Sequence, residues 1–327
     1  MSSSCIGAAP RCGRFRFGAA LALALALGAA ACTTTPEASP DLAPRRAELG
    51  GDRGSHLGRH FAEKFPRRPR TAAAAVESSL PIAWTTPYGH GLTQAPLVHP
   101  ERSVEGRELC YWVLGDGPET VLLLGGIHGD ERSSTEAAYD LLAVAVADPA
   151  LLRGIKLVLA PEVNPDGNAA RTRRNSRDVD LNRNFPSRNW RAGSGAHGPG
   201  PRPASEPETR FVLALLRMYA PTRVIATHAA AACVNWDGPA EALARRMSRE
   251  CDLPVEATIG YPTPGSLGSY LGVDLGVPTI TFELATKETV GAALDGVRRA
   301  LLVGLLPDPA GAPAAAPLGG LSGPPAR

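Results

Sequence analysis

Residues 121–131 read VLLLGGIHGDE. Val121 to Leu124 form a short apolar run of the kind that makes a buried strand, and two glycines end it. His128 and Glu131 follow, three residues apart, a spacing that puts two side chains on one face of a turn or first helical turn. An imidazole and a carboxylate in this place make either a metal-binding turn or a solvated strand-to-helix loop. Ligands in α/β sheets collect at the carboxyl ends of strands, so the rest of the chain decides between the two.

Moving outward, similar apolar runs occur at Leu109–Val113, Lys156–Ala160, Val224–Thr227 and Thr279–Leu284. Between them, helices are expected at Ser133–Ala147, Pro207–Tyr219, Ala240–Cys251 and Glu288–Leu302. Asp148-Pro149 stops the first, because the residue before a proline is pushed out of the helical region. SEPE (205–208) has the form of a capping box with Ser205 as the cap, and NPDG (164–167) has strong turn chemistry. The alternation predicts one α/β domain, with a mixed, mostly parallel central sheet flanked by helices.

The ends of the chain differ in composition from this centre. Arg11, Arg14 and Arg16 precede an apolar stretch from Phe17 to Ala31, which is shorter than the roughly 20 residues of a membrane span and suits a secretory signal. It ends in Ala29-Ala30-Ala31-Cys32, which resembles the lipobox of bacterial lipoproteins, with Ala29 where leucine is usual. The expected organisation is a lipoprotein-type signal at 1–32, a flexible linker at 33–79, a catalytic domain at 80–306 and a Pro/Ala/Gly tail at 307–327. Export to the periplasm or cell envelope follows, with anchoring to the membrane through Cys32. The net charge of +2, and the lack of any basic run interleaved with aromatics, give no sign of a nucleic-acid partner. Cys110, Cys233 and Cys251 remain in the domain; the odd number argues against a disulfide framework, and free thiols are expected over a Cys233–Cys251 bridge.

Other residues complement the first two. A catalytic zinc site takes three protein ligands, and His228, at the end of the strand RVIAT, is the candidate third. In LNRNF (181–185), Asn182 and Arg183 stand between apolar residues, and a guanidinium fork there matches a carboxylate. Arg171, Arg174 and Arg177 read as a solvated basic loop. Glu283 lies inside the apolar strand ITFEL, where a carboxylate is costly unless it is paired or used.

Taken in order, SVEGREL (103–109), H-x-x-E, NPDG, RRNSRDVDLNRNFP (173–186), SEPET (205–209), His228, GYPTPGSLGS (260–269) and Phe-Glu-Leu resemble the zinc metallocarboxypeptidases, the carboxypeptidase A-like peptidases. Within that family they look closest to the murein peptide amidase branch. The resemblance implies a carboxypeptidase-like fold and one zinc ion held by His128, Glu131 and His228. It implies Glu283 as general base, Arg173 as the group that polarises the scissile carbonyl, and Asn182 and Arg183 as the grip on a terminal carboxylate. Asp180 matches a carboxylate that orients the first histidine, Tyr261 a mobile tyrosine near the leaving group, and Leu267 the position setting side-chain preference. The implied substrate is a peptidoglycan fragment cut at its γ-D-glutamyl–diaminopimelate bond. A general carboxypeptidase on protein fragments and a silent wall-peptide-binding lipoprotein are the alternatives. Asp178 stands where the family usually has glycine, at a turn calling for positive φ.

Overall fold

The computed structural model describes residues 84–193, 198–291 and 294–307. The expected signal segment and linker lie outside the described residues, as does the tail beyond Pro307. Among the described residues, no helix is long and apolar enough to cross a membrane.

A short antiparallel ladder, β1 (Trp84–Thr85) with β2 (Gly91–Leu92), precedes an eight-stranded sheet. In spatial order the sheet runs β3 (Leu97–Arg102), β4 (Glu108–Leu114), β6 (Ile155–Ala160), β5 (Glu119–Leu124), β7 (Arg223–Ala229), β10 (Thr279–Leu284), β8 (Cys233–Asp237) and β9 (Val255–Glu256). Neighbours are parallel at β5–β6, β5–β7, β7–β10 and β8–β9, and antiparallel at β3–β4, β4–β6 and β8–β10. The expected mixed, mostly parallel sheet is therefore present. Its central strand is the one that opens VLLLGGIHGDE.

The helices are α1 (Arg132–Ala147), α2 (Pro165–Ala170), α3 (Pro207–Tyr219), α4 (Glu241–Cys251) and α5 (Leu294–Leu305). Leu122 and Leu124 of β5 share a core with Val158, Val224 and the α3 residues Phe211, Val212, Leu215 and Leu216. Gly304 of α5 lies against Ile225, whose position in β7 alternates with that of Val224. Helices thus cover both faces, which is why the central strands are apolar throughout.

Several local expectations are corrected. NPDG is not a free turn but the start of α2: Asn164 caps it by accepting from the Gly167 amide at 2.9 Å, and Pro165 fills the first position. The cap of α3 is Glu206, not Ser205, whose hydroxyl donates to Glu206 Oε1 at 2.7 Å and accepts from Asn184. The last helix does not begin at Glu288. The backbone there is engaged elsewhere, with Lys287 O accepting from Ser133 N and Val290 N donating to Glu136. β3 and β8 were not anticipated: Pro100 interrupts the first, which survives as an edge strand, and four alanines precede the second. Cys110, Cys233 and Cys251 are free thiols, and burial pushes the first two up to about 11.

Candidate active site

After β5 the chain turns through Gly125 and Gly126, and Gly126 takes φ +58, a conformation that suits glycine. Gly129 is required by proximity instead, since a Cβ there would lie 1.9 Å from the Gly167 carbonyl carbon. The IHGDE turn therefore rests directly on the start of α2. Glu131 occupies the N-cap of α1 without capping it through its side chain, so its carboxylate is free to point into the site. His228 stands near the end of the parallel neighbour β7, paired in register with Glu283 of β10.

These placements bring His128, Glu131 and His228 together, all buried, with one ligand atom from each within 4.8 Å of the others. His128 Nδ1 lies 2.9 Å from Glu131 Oε1 and 3.1 Å from His228 Nδ1; the latter is 3.0 Å from Glu131 Oε2. On its other side, His128 Nε2 faces Asp180 Oδ1 at 3.0 Å, and donation to that carboxylate leaves the Nδ1 lone pair for the cluster. Two imidazole lone pairs and a carboxylate converging in a buried space form a donor set suited to zinc. The local field agrees. Burial alone would lower the pKa of His128, but Glu131 and Asp180 overcome it and raise it to about 9. Burial acts the other way on Glu131 and Asp180; His128 is the chief neighbour holding both carboxyls well below the usual carboxylate range. A field that favours a cation this strongly fits a divalent metal.

Around the cluster opens a cleft of about 510 Å³, lined among others by Glu283, Arg173, Asn182, Arg183 and Tyr261. His128, Glu131, His228, Glu283, Arg173, Asn182, Arg183 and Tyr261, singled out from the sequence for metal, catalysis or substrate contact, thus face one space. Glu283 is 7% exposed, and its Oε2 accepts from the Ala231 amide at 3.3 Å. Arg173 reaches from the loop after α2, with Nε 3.0 Å from Asp180 Oδ2 and Nη1 3.3 Å from Glu131 Oε1. Arg183 is 2% exposed; its Nη1 donates to Asn182 O at 2.7 Å, Tyr261 hydrogen-bonds to it, and its Nε has no hydrogen-bond partner among the described residues. Asn182 holds the opposite wall by accepting from Leu267 N at 2.9 Å.

One expectation fails at this wall. Leu267 is 2% exposed and belongs to the hydrophobic core with Tyr270 and Leu271, so it does not line the cleft. The neighbouring backbone contacts the cleft through Gly268, together with Asn235 and Asp237 of β8. These last two were not singled out from the sequence because their strand was not recognised; alternation in CVNWD was the available signal. Asp178, as anticipated, has φ 60.

Comparison with known proteins agrees with this geometry. Residues 94–251 match the zinc carboxypeptidase family. Murein peptide amidase A of Escherichia coli K12 is 34% identical over 229 residues, 66% of this chain and 85% of that protein. The chain belongs to the zinc carboxypeptidase family. The Vibrio campbellii murein peptide amidase A is 31% identical over 230 residues, covering 66% of this chain and 83% of that one. Among solved structures, the murein-tripeptide amidase of Escherichia coli O157 superposes with a TM-score of 0.57 at 30% identity, spanning 74% of this chain and 98% of that one. Bovine thrombin-activatable fibrinolysis inhibitor, at 20% identity and a TM-score of 0.55 over 64% of this chain and 87% of that one, shares the fold. This zinc carboxypeptidase is therefore a hydrolase whose metal is zinc.

Proposed function

We propose that this zinc carboxypeptidase hydrolyses the γ-D-glutamyl–diaminopimelate bond of murein-derived peptides. The observation that carries the reading is the shared cleft: a buried His-Glu-His donor set, a buried glutamate and an arginine whose buried Nε has no partner among the described residues line one space. The relatives named murein peptide amidase support the wall-peptide substrate over general protein fragments.

Zinc supplies Lewis acidity, lowering the pKa of a water and polarising a carbonyl. The protein's own part is division of labour. His128, fixed as a tautomer by Asp180, contributes its Nδ1 lone pair, and Glu131 and His228 complete the donor set. Glu283 accepts a proton from the attacking water and passes it to the leaving amine. Arg173 stabilises negative charge developing on the carbonyl oxygen. Arg183 and Asn182 take the free carboxylate beyond the cut bond, and that carboxylate provides the acceptor Arg183 Nε lacks. The silent-receptor alternative has less support, because the general base and all three donors are present.

Glu283→Gln tests the mechanism, since glutamine keeps the shape and removes the proton acceptor. Zinc content should stay at one per chain while kcat falls about 10²–10⁴-fold with little change in KM. Near-wild-type turnover would refute the role.

The sequence features at Arg11–Cys32 support placement in the envelope, held by lipid on Cys32. Intact-mass measurement of membrane-extracted protein should show acyl chains at a new N-terminal cysteine; an unacylated chain cleaved after Ala31 would leave simple secretion.

A further inference from the structure

Arg173 and Asp180 stand seven residues apart in one loop, yet their side chains meet, with Arg173 Nε 3.0 Å from Asp180 Oδ2. The chain between them doubles back, and a single residue closes that turn. Asn175 N donates to Val179 O at 3.0 Å, and Asn175 O accepts from Asp178 N at 2.9 Å. The side-chain oxygen of Asn175 accepts from the amides of Arg177 and Val179, each at 3.1 Å. Asp178 takes φ 60 within the turn, a conformation that residues other than glycine rarely adopt.

The nitrogen of the same side chain is bound to a different element. Asn175 Nδ2 donates to Glu206 Oε2 at 2.8 Å and to Glu208 Oε2 at 3.0 Å. Both glutamates are buried at the start of α3, where the positive end of the helix dipole favours negative charge. Even so, burial raises the Glu208 carboxyl above the usual range. Each glutamate is fixed by a second donor, Ser205 Oγ to Glu206 Oε1 at 2.7 Å and Val104 N to Glu208 Oε1 at 3.2 Å. Buried carboxylates are unfavourable unless hydrogen-bonded, and two of them on one amide fix where that amide stands.

We infer that Asn175 is a positioning residue for the reaction: anchored to Glu206 and Glu208, it sets where the Arg173 guanidinium stands against the scissile carbonyl. The inference rests on the role given to Arg173 in the proposed hydrolysis. Asn175 is itself buried and lies outside the cleft lining, so it acts only through another group. Asp180 depends on it less. The Asp180 amide donates to Gly198 O at 2.8 Å, and its carboxylate also accepts from Asn182 N at 2.9 Å and faces His128 Nε2. Loss of the anchor therefore falls on Arg173, while His128 keeps its orienting carboxylate. A guanidinium that stabilises charge only as it develops loses much of its effect when displaced by about an ångström.

The test uses zinc-loaded full-length protein, a γ-D-glutamyl–diaminopimelate peptide, and a phosphinate analogue with tetrahedral phosphorus in place of the scissile carbonyl. Asn175→Asp keeps the shape and the acceptor of the turn but cannot donate to the glutamates. It should lower kcat about tenfold to hundredfold, with KM within about threefold and zinc content normal. Affinity for the analogue should fall by the same factor as kcat/KM, because the tetrahedral species carries the charge that Arg173 meets. In an Arg173→Ala background the same substitution should cost less than about threefold, since the group it positions is gone. Asn175→Asp combined with Glu208→Gln exchanges donor and acceptor across the same contact. That pair should bring kcat to within about tenfold of wild type, and it serves where the single variant fails to fold. Wild-type kcat in Asn175→Asp, an equal loss with and without Arg173, zinc loss that tracks the activity, or an exchanged pair as slow as Arg173→Ala each overturns the inference and leaves the proposed hydrolysis standing. Failure of the wild type to cleave the peptide overturns that reading, and this inference with it.

Discussion

The two walls of the cleft are held in different ways. The wall formed by residues 162–187 is tied down by buried polar contacts. Asp180 engages His128, Arg173 and the Asn182 amide, and Asn175 donates to Glu206 and Glu208 at 2.8 and 3.0 Å. Glu208 in turn accepts from the Val104 amide, and Asp166 accepts from Ser103 and Arg107. The other wall, from the end of β7 through β8 to Gly268, presents Ala229, Ala230, Ala231, Ala257 and Asp237, whose side chain has no hydrogen-bond partner among the described residues. The first wall positions groups that act on every substrate, where displacement of a reacting group by an ångström is costly. The second is tied to the first chiefly through backbone amides, with Gly265 N donating to Ser187 and Asn189 and Leu267 N to Asn182.

The comparison breaks most completely at the metal. His228→Ala removes one of three donors and leaves the Glu131 carboxylate with less positive charge beside it. Zinc content and activity should fall together to background, with a modest loss of thermal stability, and metal analysis on purified protein reads the first directly. Full zinc occupancy in this variant would mean that the donor set is wrong. Glu283→Gln follows in size, with metal retained.

How much of this was legible in the sequence divides along the same line. The scaffolded wall was readable because each of its segments carries a polar group that the fold must satisfy: NPDG, DVDLNRN and SEPET are parts of one hydrogen-bond network, though their local forms were read as a turn and a capping box. Those readings failed because Gly167 packs under Gly129, and Ser205 bonds Asn184 and Glu206 rather than the α3 amides. The strands of the parallel core were readable from apolar runs, and their ends placed His128, His228 and Glu283 at one rim. The wall from β8 to Gly268 was not. Its strand is short and half polar, and the placement of Asp237 at the cleft depends on register with β10 and contact with Gly268, which are long-range facts. Leu267 illustrates the limit: its side chain belongs to the core, while the adjacent Gly268 lines the cleft.

The smallest of the expected effects sharpens the comparison on the scaffolded side. Arg183 is held by Asn182 O and Tyr261, yet among the described residues its Nε has no acceptor. If that donor is reserved for substrate, Arg183→Ala should raise KM about tenfold to hundredfold at normal zinc content, the size expected for a charged hydrogen bond. The KM change should be far larger than the change in kcat, since the carboxylate is bound equally before and during reaction. Arg183→Lys should recover little, because an ammonium lacks the planar fork that meets a carboxylate with two parallel bonds. An amidated C-terminus supplies an independent check on wild type: the amide removes the charge that Arg183 pairs with, so kcat/KM should drop by a similar factor. Hydrolysis of the amidated and free-acid peptides at the same rate would show that the buried guanidinium serves the fold of its own loop, and that the carboxylate is held elsewhere in the cleft.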